Sequence, residues 1–379
     1  MAPQSLTDPT DKSIKILCAR HLHRVLTIDA TDSHGRLRVT FSTTSNFDNA
    51  SLPTMLFIGP MFCSRWHAVD LDRLACEDGI RVICSDRPSM GGSSPVPIAQ
   101  RIPVWLETVP ALLKALGIEH VSLMTHSAGT LFTLNTLYHI RHMLDPQRPF
   151  AAFMVPWVHG SNSDVMLPYI AAKLPSKMIG SFDGLHRFIQ LKINPTLGWS
   201  GGIINSVTDI VQNPPAESNM EPSDAAEKYG VDEDTAKSLS KLMQRYMLAE
   251  ETSATNEELL LCLQKAGATT WGIAEDYEKC MRELATRERE RIEDSPESQH
   301  AKLHIRAYFA SSDIMIGKSK GPAYFEQCWR QEGMSDVVDF ESTIVPDTNH
   351  DTVISDYKKT AVRAIFKELQ KIYNDGTTS

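Results

Sequence analysis

A chain of 379 residues, 42% of them hydrophobic, can bury a full core and has room for one enlarged domain or a domain carrying an insertion, so whole-chain disorder is excluded. A formal charge of -9 gives no electrostatic reason for nucleic acid or an anionic membrane as partner, and a neutral or apolar small molecule fits better. Seven scattered cysteines, odd in number and without a CxxC pair or a His/Cys cluster at ligand spacing, read as reduced thiols of an intracellular protein, and no metal is expected.

The opening MAPQSLTDPTDKS has neither the basic start nor the apolar centre of a signal peptide, and no run approaches the roughly 18 apolar residues of a membrane span. The closing Thr-Thr-Ser carries no anchor and no peroxisomal address, which makes a cytoplasmic location the expectation. Two β-rich runs, His23 to Ala30 and Leu37 to Ser42, flank a polar turn at His34-Gly35 and predict a hairpin. The short apolar runs Thr54 to Ile58, Ile80 to Cys84, His120 to Met124 and Phe150 to Val155 follow, with helical segments at Leu71 to Glu77 and Val104 to Leu116 between them. Strand and helix alternate as in a mostly parallel sheet with helices on both faces.

After Pro156 the alternation stops. Residues 157–300 read as an inserted helical cap, and residues 1–156 with 301–379 as the core domain. The first part of the insertion is apolar at Met166-Leu-Pro-Tyr, Ile179 and Phe182, and reaches a Gly-rich turn at Gly198 to Gly202; Gln212 to Ser223 is the best loop candidate. Ala236, Leu239, Leu242, Met243, Tyr246 and Met247 form one helical stripe. Thr255 with Glu258 has the spacing of a capping box. Glu275 to Asp294 alternates in charge, pairs Glu278 with Arg282 and Glu283 with Arg287, and reads as a solvated face. Alternation resumes at Leu303 to Phe309, with a strand at Val337 to Val345 and a last helix from about Thr352 to Tyr373.

The chemistry concentrates where the His120 run turns into a helix through Thr125-His126-Ser127-Ala128-Gly129. Small residues let strand and helix approach while the serine projects, although an N-cap serine is the common alternative. This segment resembles the nucleophile elbow of the α/β-hydrolases, with Thr125 where the usual pattern has glycine. The resemblance covers most of the chain outside the cap, and it implies that fold and the chain order serine, acid, histidine. Ser127 is then the nucleophile, Asp313 in Ala310-Ser-Ser-Asp the acid, and His350 in Asp347-Thr-Asn-His the general base. Taken singly, Asp313 also suits a turn and His350 a helix start; Asp347 and Asp351 are weaker candidates for the acid.

The resemblance further implies two oxyanion donors, the N–H groups of Ala128 and of Met61 in the loop Gly59-Pro60-Met61-Phe62. Ser85-Asp-Arg-Pro-Ser-Met-Gly-Gly resembles a turn of the same superfamily and reads as structural support for that loop. Phe62, His126, Trp157 and Met243 are candidate pocket residues, although ordinary core explains each one alone, and alternation along the strand favours packing for His126. Pro156-Trp-Val-His, Asp313-Ile-Met-Ile-Gly and Ala323-Tyr-Phe-Glu-Gln-Cys-Trp are similar to a group of fungal α/β-hydrolases associated with secondary-metabolite pathways.

The expected reaction is serine attack on an ester, lactone or thioester of an apolar small molecule, with no cofactor. Two rivals stay open: cyclisation, C–C cleavage or isomerisation in the same pocket, and a receptor with an unused triad. The oligomeric state is open, and a homo-oligomer is compatible with the sequence.

Overall fold

The computed structural model describes residues 8–165, 222–250, 253–265, 267, 270–296, 301–355, 357–358 and 360–375. The apolar segment from Met166, Ile179 and Phe182 to the Gly198–Gly202 turn, and most of the loop expected at Gln212–Ser223, lie outside them; Pro222 and Ser223 open a helix instead. Every strand expected from the sequence forms: β1 (Arg24–Ile28), β2 (Leu37–Thr43), β3 (Thr54–Ile58), β4 (Arg81–Ser85), β5 (Ser122–His126), β6 (Phe150–Met154), β7 (Leu303–Ser312) and β8 (Val338–Asn349). They make one sheet in the order β1-β2-β4-β3-β5-β6-β7-β8. The hairpin closes with Ile28 opposite Leu37, β2 runs antiparallel to β4, and every pairing from β4 to β8 is parallel. β3, β5 and β6 are buried at every position, as strands covered on both faces must be.

Helices cover the sheet: α1 (Pro9–Leu17), α2 (His67–Glu77), α3 (Arg101–Leu116) and α4 (Gly129–His139) come before or between the early strands. Between β6 and β7 lie α5 (Pro222–Tyr229), α6 (Glu233–Ala249), α7 (Ser253–Cys262) and α8 (Tyr277–Asp294). The chain ends with α9 (Lys320–Trp329), α10 (Thr352–Ser355) and α11 (Ala361–Asp375), so the single last helix expected from the sequence is two. Thr360 caps the second of them by accepting from the Val362 N–H, which starts a new helix at that point. None of the described helices is long and apolar enough to cross a membrane, and all seven cysteines are free.

Sequence reading missed α1, although its signals are plain in retrospect. Asp8 accepts from the Thr10 N–H as N-cap and Pro9 occupies the first turn. This helix is what the α6 stripe meets. Ala236, Leu239 and Met243 are buried, Ser13 Oγ donates to the Thr235 carbonyl, and Tyr246 lies against Trp66. Thr255 lies inside α7, which begins at Ser253, rather than at the helix start expected from the sequence, and Glu258 is buried. On α8 the expected Glu283–Arg287 pair is replaced. Glu283 accepts from the Tyr138 hydroxyl, and Arg287 lies over the Tyr138 ring while donating to its carbonyl. The helix is also less solvated than its charge suggested, since Glu288 is buried between Arg141 and Arg291.

Candidate active site

Parallel strands put all their carboxyl ends on one side of the sheet, so the segments leaving β5, β7 and β8 meet there although they are far apart in sequence. Ser127 follows β5, Asp313 follows β7 and His350 follows β8. The Ser127 backbone takes a left-handed φ of 51°, a conformation that costs a non-glycine residue energy and is held by its surroundings. Its N–H donates to the Met154 carbonyl on β6, and its carbonyl accepts from the N–H groups of Thr130 and Trp157. The serine is thereby fixed at the head of α4.

The three side chains singled out in the sequence form one hydrogen-bonded chain. Ser127 Oγ lies 2.8 Å from His350 Nε2, and His350 Nδ1 lies 2.8 Å from Asp313 Oδ2. The other carboxylate oxygen, Oδ1, accepts from the N–H groups of Met315 at 2.7 Å and Ile316 at 2.9 Å. Burial alone would raise the Asp313 pKa, but the His350 charge and these three donors outweigh it and lower the value. Burial pulls His350 down, yet the Asp313 charge and hydrogen bond, with a smaller effect from Asp351, leave it raised overall. An imidazole so placed is a stronger base, with the Nδ1–H tautomer fixed by the carboxylate.

Supports surround His350. Ser311 and Thr348 exchange hydrogen bonds between the ends of β7 and β8, and the Asn349 side chain caps the N–H groups of Asp351 and Thr352. His126 contributes as well: it is packed as expected, but its Nε2 donates to the His350 carbonyl at 2.8 Å. Burial, with the His350 ring beside it, lowers the His126 pKa to about 3, so it stays neutral, and Nδ1 meets no donor among the described residues.

Of the other candidates, Met61 and Phe62 are half-buried in the loop after β3, and Phe62 has a left-handed φ of 66°. Among the described residues neither the Met61 nor the Ala128 N–H is taken by a hydrogen bond. Trp157 is held over the elbow by its backbone, while its indole N–H donates to the Cys262 carbonyl at the end of α7. Met243 is buried in the main core on α6. The turn at Asp86-Arg87 reaches the loop directly: Arg87 donates to the carbonyls of Gly59 and Pro60, and Asp86 accepts from the Arg65 N–H.

No family model matches the chain, and no curated protein does. Solved structures do. An epoxide hydrolase from Vigna radiata superposes with a TM-score of 0.54 at 12% identity, covering 94% of this chain and 99% of its own. A putative lipase from Acinetobacter baumannii superposes with a TM-score of 0.54 at 10% identity over 99% and 100% of the two chains. A thermophilic esterase from Thermogutta terrifontis gives 0.51 at 14% identity over 92% and 99%. The chain has the α/β-hydrolase fold.

In an α/β-hydrolase fold the strand-to-helix turn needs a small residue just inside the helix, and here that residue is Gly129. A Cβ on it would overlap the carbonyl oxygens of Ile58 and Gly59 and the Thr125 hydroxyl. That hydroxyl already donates to the Ile58 carbonyl at 2.9 Å, which accounts for threonine at a position usually glycine. Glycine to alanine in an open helix stabilises by up to about 1 kcal/mol. Gly129→Ala should do the reverse, because the obstacle is backbone, with a loss at the upper end of the 1–3 kcal/mol that is roughly typical of overpacking. Denaturant midpoints measure it, and an unchanged or raised midpoint would contradict the close approach.

Proposed function

We propose that this chain is a serine hydrolase in which Ser127 attacks, His350 takes its proton and Asp313 orients the imidazole. The observation that carries the reading is the unbroken hydrogen-bonded chain from Ser127 Oγ through His350 to Asp313, anchored on a serine with left-handed φ. Attack on an ester, lactone or thioester carbonyl gives a tetrahedral oxyanion beside the helix start at Gly129. The N–H groups of Ala128 and Met61 are the proposed donors to it. Collapse of that intermediate releases the alcohol or thiol, with His350 returning the proton, and water then resolves the acyl-enzyme.

An esterase and a putative lipase among the structural neighbours agree with this class of chemistry. Residues 157–300 act as the cap in this reading. Support comes from α7, whose Glu258 reaches the loop holding Met61, and from α8, whose Tyr277 hydroxyl donates to the Trp157 carbonyl. A substrate of secondary-metabolite type rests on the resemblance of the Pro156, Asp313 and Ala323 segments.

The test is a fluorophosphonate probe followed by mapping of the modified residue, run beside a chain-length series of esters and lactones. Covalent labelling at Ser127, with kcat/KM rising for larger apolar acyl groups, is the expected result. Labelling of another serine, or none with every ester inert, would overturn the assignment.

A further inference from the structure

Besides Arg141, which holds Glu288, three arginines of the core each hold a glutamate of the segment between β6 and β7. Arg65 holds Glu250, Arg101 holds Glu257 and Arg87 holds Glu258. Only the last pair is buried on both sides, with Arg87 2% and Glu258 1% exposed. Arg87 Nε and Nη2 donate to Glu258 Oε1 at 3.0 and 2.7 Å. The same guanidinium donates from Nη1 to the Gly59 carbonyl at 2.5 Å and from Nη2 to the Pro60 carbonyl at 2.7 Å. Glu258 Oε2 then accepts from the Phe62 N–H at 3.4 Å, the loosest of these contacts.

Those contacts bracket one peptide group. The unit joining Pro60 to Met61 is planar and trans, so its N–H points opposite to its C=O. Fixing the Pro60 carbonyl on Arg87 therefore fixes the direction of the Met61 N–H. Glu258 holds Arg87 in register from one side and the Phe62 N–H from the other, where the left-handed φ of Phe62 turns the chain. A buried ion pair is weak evidence for stability, because desolvation offsets the attraction, so its geometry is the more informative property.

We propose that Arg87 and Glu258 are positioning residues for the oxyanion hole, and that the hole is completed only when α7 is seated against the turn at Arg87. This rests on the serine-hydrolase reading above. Loading of the segment between β6 and β7 and competence of the hole are then one event: an unseated α7 leaves Arg87 without its counter-charge and the Pro60 carbonyl held chiefly by the Cys63 N–H at 3.1 Å, so that the Met61 peptide loses its side-chain clamp. Misplacement of a reacting group or donor by about 1 Å can cost on the order of a hundredfold in rate.

The experiment compares Glu258→Gln, Arg87→Lys and, as a control on the same helix, Glu257→Gln, whose partner Arg101 makes no hydrogen bond to the loop after β3 among the described residues. Each is measured for ester kcat and KM, for fluorophosphonate labelling rate, and for affinity of a boronic acid that mimics the tetrahedral oxyanion, with thermal midpoint alongside. Glu258→Gln and Arg87→Lys should lose about a hundredfold in kcat and in labelling rate and a parallel factor in boronate affinity, with KM and the pH midpoint of the acid limb unchanged. Glu257→Gln should match the parent. Full kcat and boronate affinity in Glu258→Gln, or a loss confined to thermal midpoint or KM, would overturn the proposal. Should Glu258→Gln not fold, Glu258→Asp keeps the charge but draws it back by one methylene, and is read in the same way. Failure of the parent to label at Ser127 would instead refute the hydrolase reading itself.

Discussion

Ser127→Ala should abolish covalent labelling and lower kcat by about a millionfold, as removal of the nucleophile does in a serine protease, while leaving the fold in place. The asymmetry between the two effects follows from what the side chain touches. Ser127 Oγ has His350 Nε2 as its hydrogen-bond partner, whereas the elbow is held by backbone groups: the Ser127 N–H on Met154 and its carbonyl under Thr130 and Trp157. Alanine keeps those contacts and bears the same left-handed φ as serine does. His350 loses a partner but keeps Asp313, so no charge is stranded. A thermal midpoint close to the parent, together with burst and steady-state assays, checks both halves. Residual turnover near the parent level, or labelling that persists elsewhere, would show that another group attacks.

The elements that position this serine were legible because they depend on local pattern. Short apolar runs bounded by breakers gave the strands, and a strand turning into a helix through Thr125 to Gly129 marked the elbow. Asp313 and His350 could be singled out because the chain order of the resembling family restricts where an acid and a base can lie after Ser127. What could not be read is whatever depends on a partner remote in sequence. Glu258 has the spacing of a helix cap, and nothing local says that it pairs with Arg87, 171 residues away. Arg287 has Glu283 at a favourable spacing, and only the fold supplies Tyr138 as a better neighbour. His126 was read as packing from strand alternation, which is right for its ring and silent about its Nε2.

Asp313→Asn should cost roughly a thousandfold to ten-thousandfold in kcat/KM and also move the acid limb of the pH profile. In the proposed mechanism His350 acts as base only when neutral, and the Asp313 carboxylate leaves its pKa raised above the ordinary imidazole value, so activity should fall as the pH drops through that raised value. Replacing the carboxylate by an amide removes the charge and the charge-assisted hydrogen bond that oppose burial. Desolvation, the largest influence on His350, then dominates and lowers its pKa. The acid limb should therefore shift to lower pH, whereas loss of a remote structural residue would leave it in place. Rate is lost at every pH nonetheless, because the amide N–H favours the tautomer whose Nε2 already carries a proton and cannot accept one from Ser127. Kinetics of Asp313→Asn, Asp347→Asn and Asp351→Asn across the acid range separate the candidates. Asp351 exerts only a small charge effect on His350, so its amide should shift the limb slightly and keep most of the rate. A nearly silent Asp313→Asn beside a crippled Asp347→Asn would transfer the orienting role to Asp347, despite the 2.8 Å contact between Asp313 and His350.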